Sequence, residues 1–228
     1  MESKQQELTG LTEELKEEMK KHVGFNQDQI KEHYDDIATK YDAIYLNAGY
    51  LDPLHCAQLV KEFVPNTEGE VFDMGCGTGL VGLHLKEFGY TKVVGVDASA
   101  GMLVVAGEKN AYHQLKELFL GAPETFPQEY HNHFDAITAA GILAEGHLGP
   151  VVFEEFLLSL KTNGFAIFTT RTMYLEKYNY GARMDEIEKE GRWKKVKEVT
   201  FTRYDKLEEN VGRYSPVEVK CFAYQKLA

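Results

Sequence analysis

The residues best placed for chemistry crowd around one glycine cluster. Residues 71–80 read Val-Phe-Asp-Met-Gly-Cys-Gly-Thr-Gly-Leu, an apolar run that stops at three glycines. Glycines at the end of a strand let the backbone turn sharply and come close to a ligand. A triphosphate loop would need a lysine after its last glycine, and none follows Gly79 or Gly82. A dinucleotide loop fits better in spacing, because Gly77, Gly79 and Gly82 stand as G-x-G-x-x-G. That set opens two residues late, however, and Asp73 would bring a carboxylate toward a pyrophosphate. Two like charges 4 Å apart repel by about 4 kcal/mol at an effective dielectric of 20. A ligand with positive charge and no phosphate reverses that sign.

S-adenosylmethionine is such a ligand, with a cationic sulfonium and a cationic amino group. Asp73, directly or through water, would attract it. Asp97 adds a second constraint, because it ends the apolar run Val94-Gly95-Val96, 18 residues past Gly79. A carboxylate there can accept hydrogen bonds from both ribose hydroxyls of an adenosine. An aspartate at a strand end can also cap the next helix, but Ser99 already offers that cap.

Other candidates lie farther along the chain. Glu145 and His147 follow a strand-like run in a loop on the ligand side, so either could take a proton from a methyl acceptor. Tyr34, Tyr41 and Tyr45 are spaced 7 and 4 residues apart, on one helical face, and could cover the cofactor as a lid. Arg171 and Tyr174 would border the acceptor, with Arg171 serving an acidic substrate or a structural ion pair. No Cys or His spacing reads as a metal site; the nearest approach, His131-Asn132-His133, lacks a third ligand. Cys56, Cys76 and Cys221 are scattered along the sequence, so reduced buried thiols are expected.

These residues need a frame. Strand-like runs at 69–74, 91–96, 116–120, 134–140 and 164–170 alternate with helical spacing at 80–88, 99–109, 150–160 and 180–191. That alternation predicts an α/β fold, a parallel sheet with helices on both faces. Two late runs, 196–204 and 217–224, have no helix between them and should pair as an antiparallel hairpin. Residues 28–45 read as a helix ahead of the sheet. Residues 4–22 read as an acidic amphipathic helix with Leu8, Leu11, Leu15 and Met19 on one stripe, ended by Gly24. Residues 1–25 are therefore expected as a separate N-terminal helix, mobile or docked, and 26–228 as one domain.

The 228 residues are 43% apolar and 27% charged, so disorder is not expected. A net charge of −11 disfavours nucleic acid and anionic membrane as partners. No stretch approaches the roughly 18 apolar residues that would span a bilayer. The polar, acidic first ten residues resemble neither a signal nor a transit peptide. A soluble, cytoplasmic monomer is expected.

Asp-Met-Gly-Cys-Gly-Thr-Gly at 73–79 and Gly-Val-Asp-Ala-Ser at 95–99 together resemble the class I S-adenosylmethionine-dependent methyltransferases. YDDIATKYD (34–42), GTGLVG (77–82), FDAITAAGILAEGHLGP (134–150), TTRT (169–172) and EGRW (190–193) follow in order. They narrow the resemblance to the methyltransferase-like group named for the Williams–Beuren syndrome chromosomal region and its bacterial relatives. It covers roughly residues 30–205.

The resemblance implies a Rossmann-like, mostly parallel sheet of seven strands, with the cofactor across the carboxyl ends of the first, second and fourth. Carried over, Asp73, Gly75, Cys76 and Gly77 would face the methionine half, with Ala140 and Gly141 beside it. Asp97 would hold the ribose, and Ala98 and Met102 the adenine. Tyr34 and Tyr41 would close over the cofactor. Gly121 and Ala122 stand where many members place an aspartate for the adenine amine, so adenine contact here falls to backbone, Glu124 or packing. The residues after the fourth strand, Ala-Ala-Gly-Ile, lack the (N/D)PP(Y/F) signature, which disfavours exocyclic amines and glutamine amides as acceptors. The expected activity is methyl transfer to a small molecule or a protein. The alternatives are a catalytically silent S-adenosylmethionine-binding scaffold, with the N-terminal helix as its handle, and an NAD-dependent oxidoreductase.

Overall fold

The computed structural model describes residues 12–21, 27–207, 210–212 and 214–227. Two helices, α1 (Glu13–Lys21) and α2 (Gln27–Ala48), precede α3 (Asp52–Phe63). Then β1 (Val71–Met74), α4 (Leu80–Glu87), β2 (Val93–Asp97), α5 (Ala100–Glu108) and β3 (Gln114–Glu117) alternate. β4 (Phe134–Leu143), α6 (Val152–Ser159), β5 (Leu160–Arg171), α7 (Tyr174–Lys177) and α8 (Tyr180–Lys189) follow, and β6 (Trp193–Arg203) and β7 (Val217–Lys226) close the chain.

The seven strands lie in the order β3-β2-β1-β4-β5-β7-β6. β1 to β5 are parallel, and β7 runs antiparallel to both β5 and β6. The α/β sheet and its antiparallel C-terminal pair are therefore as the alternation predicts. Side chains alternate across the sheet as strand geometry requires. Phe72 and Phe168 pack with Phe153 and Phe156 of α6 and Ile187 of α8 on one face. Val71 and Ile167 pack with Leu59 and Val60 of α3 and Val81 and Leu85 of α4 on the other. Strand order reverses between β2-β1 and β4, and a crevice opens at the carboxyl ends there.

Two details differ from the sequence reading, and a third adds to it. α3 was not anticipated; Pro53 in its first turn and the buried Cys56, Ala57, Leu59 and Val60 make it. β3 ends at Glu117, so Leu118, Phe119 and Leu120 leave the sheet and wall the crevice instead. Cys56 and Cys221, distant in sequence, stand side by side as free buried thiols where α3 meets β7.

Of the N-terminal stripe, Met19 is fully buried with Ile44 and Tyr45, and Leu15 packs beside them. Leu8, Leu11 and Gly24 lie outside the described residues. Trp193 is buried and donates its indole N–H to the Met184 carbonyl at 3.0 Å, anchoring the end of α8 to β6. Among the described residues no helix is long and apolar enough to cross a membrane.

Candidate functional site

A cavity of about 300 Å³ sits at the carboxyl ends of β1, β2 and β4, beneath α2. Its floor is the glycine loop. The N–H groups of Gly75 and Cys76 both donate to the Val96 carbonyl, and Gly79 N–H returns to the Cys76 carbonyl. Gly77 has φ +53°, and nothing lies within 4 Å of the place a Cβ would take. A side chain there would be strained and would project into open space beside the cavity.

Asp97 is the carboxylate in the cavity wall. One oxygen accepts from Gly77 N–H and the other from Ser99 N–H, each at 2.9 Å. A carboxylate oxygen has two lone pairs, and with Ala98 N–H as a third backbone donor to this group, capacity for a ligand hydroxyl still remains. Burial raises this carboxyl above its ordinary range, against the backbone N–H bonds that favour its charged form. Ser99 caps α5 by accepting from Met102 N–H at 3.0 Å, which leaves Asp97 available.

Asp73 is a correction. Its side chain is fully buried behind the loop and is not in the cavity wall. Tyr112 donates to one oxygen and Thr138 to the other, both at 2.7 Å. Burial raises the carboxyl to about 6, and those two hydrogen bonds hold it from rising further. Tyr112 also accepts from Gly82 N–H at 3.1 Å, and its ring would lie 2.3 Å from a Cβ at residue 82. Gly82 therefore makes room for the tyrosine that covers Asp73.

The roof is α2. Tyr34 and Tyr41 line the cavity, with ring centroids 6.1 Å apart. Tyr45 turns away into a buried cluster with Tyr204 and Tyr214. Two aspartates fasten the helix down. Asp35 accepts from Ser99 Oγ at 2.6 Å and Gly101 N–H at 2.7 Å. Asp42 accepts from Thr78 Oγ1 at 2.5 Å and pairs with Lys109 at 2.7 Å. Tyr50, just past α2, lines the cavity and donates to the Ala140 carbonyl at 3.3 Å.

His147 closes the remaining side. Its Nδ1 lies 2.9 Å from the Glu145 carbonyl, and its Nε2 lies 2.9 Å from the Tyr34 hydroxyl. Glu145 does not bring its carboxylate to the cavity; that side chain pairs with Lys177 at 3.2 Å. Its backbone touches the site through His147.

Gly75, Gly77, Asp97, Ala98, Met102, Ala140, Tyr34, Tyr41 and His147 thus share one cavity. Cys76, Gly121 and Ala122 do not line it. The N–H groups of Gly121 and Ala122 point instead at the buried Glu155 carboxylate, at 2.8–2.9 Å. Glu124 is exposed. The far wall is apolar, built from Leu118, Phe119 and Leu120, with the Phe119 ring 62% exposed.

Residues 71–164 match the family described as a methyltransferase domain. The chain is 30% identical over 167 residues to methyltransferase-like protein 27 of Homo sapiens, covering 70% of this chain and 66% of that protein. It is 32% identical over 152 residues to the biotin biosynthesis bifunctional protein BioHC of Saccharophagus degradans, covering 65% of this chain and 26% of that one. The chain therefore spans just under two thirds of the human relative and about a quarter of the bacterial one. Residues 71–164 are a methyltransferase domain, and the relatives support the class I, S-adenosylmethionine-dependent kind.

The fold agrees: a TehB-like methyltransferase from Corynebacterium glutamicum superposes with a TM-score of 0.60 at 18% identity, over 85% of this chain and 98% of that one. Within this class I frame, sequence reasoning missed Tyr50, Tyr112, Asp35, Asp42 and Glu155. Each acts on a partner distant in the sequence, so no local spacing marks it. Phe119 was within reach, as an apolar residue continuing past the end of β3. Among the described residues no group of His, Cys, Asp or Glu is placed to hold a metal ion.

Proposed function

We propose that this chain transfers a methyl group from S-adenosylmethionine to a small-molecule or protein acceptor. One observation carries the reading. Among the described residues, the cavity wall holds a carboxylate, Asp97, and no lysine or arginine. Such a wall suits a cationic ligand and opposes a pyrophosphate.

The residues present fit the cofactor. Asp97 keeps acceptor capacity for a ribose hydroxyl beyond its bonds to the Gly77, Ala98 and Ser99 backbone. Phe119, Leu120 and Met102 offer an apolar slot for adenine. Gly75, Gly77 and Ala140 leave room for the amino-acid tail, and Tyr34, Tyr41 and Tyr50 present ring faces and hydroxyls. When bound, S-adenosylmethionine supplies a methyl group already activated by its sulfonium. The chain then has to align the acceptor and exclude water. Because Nε2 accepts from the Tyr34 hydroxyl, the acceptor's proton passes to that hydroxyl as Tyr34 gives its own to Nε2, the nitrogen left without hydrogen by the bond to the Glu145 carbonyl. α2 is the lid, fastened by Asp35 and Asp42 and closed by Tyr34. The domain proper runs from residue 26, with α1 docked on it. Since Leu15 and Met19 are packed against α2, they are not a free handle for a scaffold partner.

Incubation with methyl-labelled S-adenosylmethionine and fractionated cell extract tests the activity. The expected result is label moving to a component of one fraction. Cofactor binding with no label transfer to any fraction would favour the silent scaffold.

A further inference from the structure

Arg171 ends β5, one residue beyond Thr170, which pairs with Leu143 of β4 and donates to its carbonyl. The preceding β4 residues, Gly141 and Ile142, are in the cavity wall. Arg171 therefore stands at the carboxyl edge of the sheet, on the strand next to the cavity-wall strand β4 and outside the cavity lining itself.

Among the described arginines this one differs from the others. Arg183 and Arg192 pair with Glu154, and Arg203 pairs with Asp52. Among the described residues Arg171 has no carboxylate within ion-pair distance, in a chain with 36 acidic residues against 25 basic. Glu218, on the strand next to it, takes the Thr172 hydroxyl at 2.7 Å instead. The guanidinium is held in place all the same. Nη1 donates to the Tyr174 hydroxyl at 3.2 Å, and the group lies 5.3 Å from that ring's centre. Its Nε is buried and has no hydrogen-bond partner.

A buried N–H of a charged group is costly to leave unpaired, and buried charges are normally matched. The occupied Nη1 and the orphaned Nε leave the Nε–Nη2 edge of the fork. Two parallel N–H groups on that edge match the two oxygens of a carboxylate. A phosphate dianion would meet stronger repulsion from Asp97 and from the net charge of −11. Resting on the methyltransferase reading, we propose that Arg171 recognises a carboxylate borne by the methyl acceptor, held side-on by Nε–H and Nη2–H. The acceptor is thus a carboxylic acid, methylated at a second atom or on the acid itself.

The test uses the full chain loaded with S-adenosylhomocysteine and titrated with benzoate, benzamide or inorganic phosphate. Calorimetry reads affinity, and the Arg171 Nε–H resonance reads contact. Benzoate is expected to move that resonance and to bind at least tenfold tighter than benzamide. R171Q is expected to lose this preference, and R171K to recover only part of it, with S-adenosylhomocysteine affinity unchanged within twofold in both. Equal binding of benzoate and benzamide, or an undiminished preference in R171Q, overturns the proposal. Phosphate binding tighter than benzoate through Arg171 also overturns it, in favour of a phosphorylated acceptor. Failure of S-adenosylhomocysteine to bind the wild type, before any anion is added, overturns the methyltransferase reading itself.

Discussion

The Tyr34 hydroxyl donates to Nε2 of His147 at 2.9 Å, joining two residues 113 apart in sequence across the mouth of the cavity. The direction of this bond follows from the other side of the ring. The Glu145 carbonyl can only accept, so Nδ1 carries the hydrogen and Nε2 is bare. The bond fastens the lid helix to the loop after β4. A neutral hydrogen bond of this kind contributes about 0.5–1.5 kcal/mol. Y34F keeps the ring against Tyr41 and is expected to speed S-adenosylhomocysteine release about two- to tenfold. Stopped-flow dissociation measures it; an unchanged rate would mean that the bond does not hold the lid.

Asp73 predicts an acid-side gain in stability. Burial holds its carboxyl near 6 in the fold, whereas an unfolded aspartate titrates near 3.9. Between those values the native chain binds a proton that the unfolded chain has released. The group's contribution is therefore full below about pH 4 and is lost as pH rises through about 6. The stability of the wild type relative to D73N is expected to rise by about 1 kcal/mol from pH 7.5 to pH 5. Urea denaturation of both proteins at the two pH values checks this. Groups that titrate in both cancel, and a difference independent of pH would contradict it.

Asp52 and Arg203 form a buried pair in which Arg203 Nε donates to Asp52 Oδ1 at 2.8 Å and Nη2 bonds the other oxygen. Removing one partner leaves a buried charge unmatched, at a cost of about 3–5 kcal/mol, whereas replacing both by apolar residues is often near neutral. D52N is expected to lose stability in that range, and D52L/R203M to regain most of it. The Arg203 guanidinium also lies 5.4 Å from the centre of the Tyr50 ring in the cavity wall. D52N should therefore weaken cofactor binding as well. A loss under 1 kcal/mol in urea denaturation would show that the pair is not the anchor of this corner.

The parts of the fold legible in the sequence are those written locally. Three glycines after an apolar run marked the loop, Ser99 marked the start of α5, and the alternation of strand and helix patterns gave the parallel sheet. Which way a carboxylate points was not local. Asp73 sits at a strand tip, but Tyr112, 39 residues on, draws it away from the cavity. Glu145 lies in the right loop, yet Lys177 turns its side chain outward. The bonds that fasten the lid, Asp35 to Ser99 and Asp42 to Thr78, span 64 and 36 residues. α3 was legible as well and went unread: Pro53 opens it, and Cys56, Ala57, Val60 and Phe63 recur at helical spacing on the face that packs against the sheet.

The most direct measurement is calorimetric titration of the wild type and D97N with S-adenosylmethionine, and of the wild type with NAD. A charge-assisted hydrogen bond contributes about 1.5–3 kcal/mol, so D97N is expected to bind S-adenosylmethionine at least tenfold more weakly, with no NAD binding by the wild type. Micromolar NAD affinity without S-adenosylmethionine binding, or equal affinity in D97N, would contradict the account.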